Sequence, residues 1–136
     1  MTDYATGEPV EDTAAFPFSA QATLRLARET LDSARGATVP EPRYALAYLG
    51  ALRGAAALLA LHGHPVRSRV RPTDVWTLLA REVPEWAEWA PVFSAASATR
   101  AAILAGIAVN VTPALAVSLL HEAEQFVALV GQDVER

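Results

Sequence analysis

Arg53 is the residue whose chemistry most needs explaining. It is the only charged side chain between Arg43 and Arg67, in a run of alanine, leucine and glycine. A guanidinium among apolar neighbours must find partners, because an unpaired charge in a low-dielectric site is very costly. Two arrangements would meet that need. Arg53 can form a buried ion pair with Glu122 or Glu124 near the C-terminus and so fix the register of two helices. Alternatively, it lines a pocket or dimer cleft and meets the anion of a ligand.

A second group follows closely. His62, His64, Arg67, Arg69 and Arg71 fall within ten residues that hold no acidic side chain. Alternating arginines on an extended loop can point to one side, and their forked donors suit phosphate oxygens. This segment is therefore a candidate contact for a phosphate, an RNA or an acidic protein partner. Its plainer reading is a solvated loop whose arginines pair with Glu41, Asp74 or Glu82, with the histidines capping a helix end. His62 and His64 with His121 or Glu122 would suffice in type for a metal, but ordinary capping and surface roles explain them better, and no metal site is assigned.

The search for catalytic motifs is negative. There is no Gly-rich phosphate loop, no Gly-x-Ser-x-Gly elbow and no His-Glu-x-x-His pair. No catalytic residue and no cofactor is assigned. The chain has no cysteine, which removes thiol chemistry and disulfides and fits a reducing compartment, so a cytoplasmic protein is expected. All eleven basic residues are arginine, and the net charge of -4 makes no global case for nucleic-acid binding. Tyr44, Tyr48, Trp76, Trp86, Trp89 and Phe93 could form a base-stacking platform, but their helical spacing suits a core better.

The elements that would position these residues are all helices. At 136 residues the chain fits one domain with a well-buried core. Residues 1–18, with Asp3, Glu8, Glu11 and Asp12, read as a flexible acidic leader without the apolar run of a secretory signal. Residues 19–133 read as a single helical domain. Its first helix spans Ala20 to Ala34, with Ser19 as N-cap and a stripe of Ala20, Leu24, Ala27, Leu31 and Ala34. Arg28 and Asp32 would pair on its surface.

The second helix is predicted from Pro42 to Gly63. From Tyr44 to Leu61 it is apolar on every side except at Arg53, so it must be surrounded by its own bundle or partly by a second subunit. Arg53 makes it a poor membrane span, and no membrane contact is expected. Gly50 and Gly54 would let another helix approach closely. A third helix follows over Thr73 to Glu82. A fourth, over Glu85 to Ile107, is expected to kink or restart at Pro91. The last helix opens on Thr112 and Pro113 and carries a stripe of Ala116, Leu119, Ala123, Phe126 and Val130. No stretch alternates as a strand does. The expected architecture is all-α, an up-and-down bundle of four to five antiparallel helices.

Tyr44 to Ala60 resembles the central helix of HEPN domains. Ala123-Glu124-Gln125-Phe126 within Leu120 to Val130 resembles their closing helix. Val75 to Ala80 and Pro84 to Ala90 resemble a narrower stand-alone HEPN family of high-GC Gram-positive bacteria. The resemblance covers about residues 20–131 and implies a helical bundle that often dimerises. Many HEPN proteins are RNases that place an arginine, four to six residues and then a histidine at an active site shared across the dimer. Here no arginine precedes a histidine at that spacing. The nearest pair, Arg53 and His62, is nine steps apart, which on an ideal helix puts the two on opposite sides and about 13 Å apart along the axis. The resemblance therefore implies a non-catalytic, homodimeric module for protein interaction or for nucleotide or RNA binding. Arg53, His62, His64, Arg67, Arg69, Arg71 and Glu124 are its candidate binding residues. The alternative is a divergent HEPN ribonuclease or toxin-like enzyme built on Arg53, His62, Glu124 and the arginine loop.

Overall fold

A computed structural model describes residues 19–67 and 70–136; the acidic leader and Arg69 lie outside the described residues. Five α-helices follow one another: α1 (Ala20–Gly36), α2 (Pro40–Leu61), α3 (Pro72–Glu82), α4 (Ala90–Leu104) and α5 (Pro113–Val134), with a 3₁₀ segment, Pro84–Trp89, between α3 and α4. The architecture is an all-α bundle, and no strand occurs among the described residues.

Local chemistry sets the helix starts. The Ser19 hydroxyl accepts a hydrogen bond from the Ala22 N–H at 3.0 Å, and the Thr112 hydroxyl accepts one from Leu115 at 3.1 Å. Proline occupies the first helical position of α2, α3 and α5, where the missing N–H costs nothing because no intrahelical acceptor exists there. For α2 that proline is Pro40 and not Pro42; both lie in the first turn, so the helix starts two residues earlier than expected. Pro91 restarts the chain: the segment before it winds as 3₁₀, and α4 begins at Ala90 with Pro91 in its first turn. Gly106, at φ 74°, stops that run in a left-handed conformation.

Helix α2 packs against all four other helices. Arg43 reaches the carbonyls of Ala34 and Arg35 at the end of α1, and Gly50 faces Ala27 and Leu31, so α1 and α2 are antiparallel. Arg28 meets Glu135 and Arg35 meets Glu124, so α1 and α5 are antiparallel too. Both α2 and α5 oppose α1 and therefore run side by side in one direction. The two glycines of α2 serve different neighbours. A Cβ at Gly50 would overlap the Leu31 side chain of α1, whereas one at Gly54 would lie 3.0 Å from Val127 of α5.

The apolar second helix finds about half of its cover within one chain. Helices α2 and α5 are each long and apolar enough to cross a membrane by length and composition, but about half of each such window (50% and 44%) is buried inside the bundle. Core packing accounts for the buried half of that apolarity. The aromatics belong to the core or pack against it, as their spacing suggests. Trp76 stacks on Phe93 at 5.0 Å, and Phe126 meets Trp76, Trp86, Trp89 and Phe93 at ring-centre distances of 5.3–6.0 Å.

Candidate functional site

On the face of α2 away from the aromatic core, helices α1, α2 and α3 and the α2–α3 connection enclose a groove of about 610 Å³, open on one side. Its walls are aliphatic: Leu26 from α1, Leu49 and Leu52 from α2, Val66 and Val70 from the connection and Val75 from α3. Two guanidiniums join them, those of Arg53 and Arg67. The volume falls in the range of small-molecule sites, which are mostly apolar with a few convergent polar groups.

Arg53 is half-buried on this wall. The expected ion pair with Glu122 or Glu124 does not form. Instead, Arg53 Nη1 donates to the Thr30 hydroxyl at 2.7 Å, and that hydroxyl donates in turn to the Leu26 carbonyl at 2.7 Å. Glu124 is held by Arg35 on the far side of α1. The reason lies in the packing: α5 presents Glu124 to α1, so no carboxylate of α5 reaches the Arg53 side chain. Among the described residues none pairs with Arg53. Arg100 of α4 acts on it as a like charge. Burial first, and then the like charge of Arg100, push the Arg53 guanidinium below its ordinary value.

Arg100 is itself unusual. Its guanidinium lies 5.5 Å from the centre of the Tyr48 ring, a cation–π contact, and its Nε is buried without a hydrogen-bond partner. Sequence reading passed over both Arg100 and Thr30. For Arg100 a signal existed: it is the only charged side chain between Glu88 and Glu122, the same isolation that singles out Arg53. For Thr30 there was none, since a mid-helix threonine carries no mark of what approaches its hydroxyl.

The remaining candidates are scattered. His62, the residue capping α2, faces Asp133 of α5 at 3.5 Å, and His64 faces Glu82 of α3 at 3.4 Å. Neither lines the groove. Arg71 points to Asp74 at 3.2 Å, so of the arginine segment only Arg67 faces the groove among the described residues. His121 is exposed on α5. The expected Arg28–Asp32 pair is replaced by Arg28–Glu135 at 2.9 Å, with Asp32 meeting Arg35. Among the described residues no three histidine, aspartate or glutamate side chains converge as metal ligands would.

The geometry therefore brings together Arg53, Thr30, Arg67 and aliphatic walls, with Arg100 close enough to bias Arg53. It keeps the histidines apart from them. Such a site can hold an anion; it places no acid–base pair within reach of one another. A HEPN-like family model matches residues 34–131, from the last turn of α1 to near the end of α5. No curated protein and no solved structure matches the chain.

Proposed function

The chain belongs to a HEPN family, and on that premise we propose that it is a non-catalytic binding module whose ligand brings an anion to Arg53. A phosphate or a carboxylate would supply that anion, whether it is carried by a nucleotide, an RNA, an acidic partner or a smaller ligand. One observation carries the reading: a half-buried arginine lines a groove, has no carboxylate partner among the described residues and sits near a second cation. An anion placed there gains Coulombic energy in a partly desolvated site.

Catalysis finds less support. The Arg-to-His spacing of the family's ribonucleases is absent, and both histidines near the arginine segment face carboxylates off the groove. Wild type, Arg53→Ala and His62→Ala, incubated with varied RNAs, are expected to give the same background cleavage. Cleavage by wild type that either substitution removes would overturn the reading.

The module works as a homodimer in the cytoplasm. An apolar corner at the end of α4 and start of α5 supports self-association, since Leu104, Ile107 and Leu115 are 62%, 61% and 51% exposed. The lack of cysteine supports the compartment. Sedimentation equilibrium is expected to give twice the chain mass at micromolar concentration; a stable monomer there would remove the dimer.

A further inference from the structure

We propose that the groove beside Arg53 takes an aliphatic chain bearing one anionic head, carboxylate or phosphate, bound as a free monomer. This rests on Arg53 as the anion-binding charge and names what carries the anion.

The walls decide the class of ligand. No aromatic ring lines the groove among the described residues, and apart from the two arginines Thr23 is its only polar side chain. A nucleobase is held by stacking on aromatic or guanidinium planes and by hydrogen bonds to its edges. Among the described residues this groove offers a base no aromatic ring to stack on and, beyond its two arginines, one hydroxyl for an edge. The aromatics that could have served are packed around Phe126 in the core. An alkyl chain needs neither feature, because burial of apolar surface is non-directional and scales with area.

Length and charge agree with this. The α2 wall runs from Leu49 to Ala60, about 16 Å at the helical rise. Arg53 lies within that length and Arg67 borders the same space. Arg53 is anchored on Thr30, and a second, exposed cation, Arg67, lines the same groove. Among the described residues the rest of the wall has no charge to repel a chain and few groups to hydrate it.

Calorimetric titration of the full chain, kept below micelle-forming concentrations, tests the proposal. The probes are octanoate, decanoate, dodecanoate, decyl phosphate, decanol and adenosine monophosphate, with phosphatidylglycerol vesicles as a separate arm. Affinity is expected to rise about fourfold per added methylene, the ratio that burying one methylene gives. Decyl phosphate should bind as decanoate does, decanol at least tenfold more weakly, and the nucleotide more weakly than decanoate. Arg53→Gln should weaken decanoate at least tenfold. Ala56→Phe, which puts a ring into the groove, should do the same. The chain-length series needs no variant, so it decides even if Ala56→Phe does not fold. Arg53-dependent binding that is insensitive to chain length, or nucleotide binding as tight as decanoate, would overturn the aliphatic carrier and leave the anion site standing. No Arg53-dependent binding of any anion would overturn both. Binding to vesicles without binding to monomers would overturn the free ligand.

Discussion

Tyr48 and Arg53 stand five residues apart on α2, and the fold treats their polar groups in opposite ways. The Tyr48 ring is fully buried, and its hydroxyl accepts from Trp76 Nε1 at 2.8 Å while bonding to the Ser97 hydroxyl. Donor and acceptor are both met inside the chain. Arg53 is half-buried, bonds one neutral hydroxyl and has a like charge beside it. On the first side of α2, α3, α4 and α5 close over Tyr48 with stacked aromatics. The second is left as an aliphatic groove with a charge on its wall. A buried polar group that the chain satisfies by itself holds the fold together. Arg53 is the charge on the other side of this helix that the proposed anion would balance.

The largest effect that would sharpen this contrast is at Tyr48. Tyr48→Phe keeps the ring and its contact with Arg100 but leaves the Trp76 N–H and the Ser97 hydroxyl without their partner in the core. The expected loss is about 1–3 kcal/mol of unfolding free energy, read by urea titration. A loss within error would mean that the network is not what makes this side of the helix different.

A smaller effect is expected where an arginine does have its carboxylate. Arg28 donates two hydrogen bonds to Glu135, at 2.9 and 3.0 Å, and these bonds, then the charge of Arg28, hold the Glu135 carboxyl below the ordinary glutamate range. A carboxyl depressed in the folded state stabilises at pH above its unfolded value, and that contribution is lost as pH falls through the folded value. Glu135→Gln should therefore lower the midpoint of thermal unfolding slightly at neutral pH. The difference from wild type should vanish on acidification below the glutamate range. Both groups are exposed, so the effect stays well under that of Tyr48→Phe. A difference that persists in acid would assign the loss to something other than this pair.

Much of the scaffold was legible in the sequence because its signals are local. Ser19, Thr112 and the prolines mark helix starts through backbone groups within one turn, and the stripes Ala20–Leu24–Ala27–Leu31 and Ala116–Leu119–Ala123–Phe126 mark buried faces through helical period alone. Arg53 was legible as a problem for the same reason. Its solution was not. Which carboxylate reaches a guanidinium depends on how each helix is rotated about its axis, and α5 turns Glu124 to Arg35. The groove was equally hidden, since Leu26, Leu52, Val66 and Val75 lie on three helices and a connection with no shared period. Gly50 and Gly54 were readable as points of close approach, but not that one faces α1 and the other α5.

The account rests on Arg53 being a binding charge and not a structural one, and unfolding of Arg53→Met in low-salt buffer free of added anions tests that most directly. Methionine keeps the apolar stem and removes the charge, and Thr30 retains its bond to the Leu26 carbonyl. The variant is expected to match wild type within about 1 kcal/mol or to exceed it, because a half-buried cation beside another contributes no net stability. A loss of about 3–5 kcal/mol, the signature of a broken buried charge pair, would contradict the account.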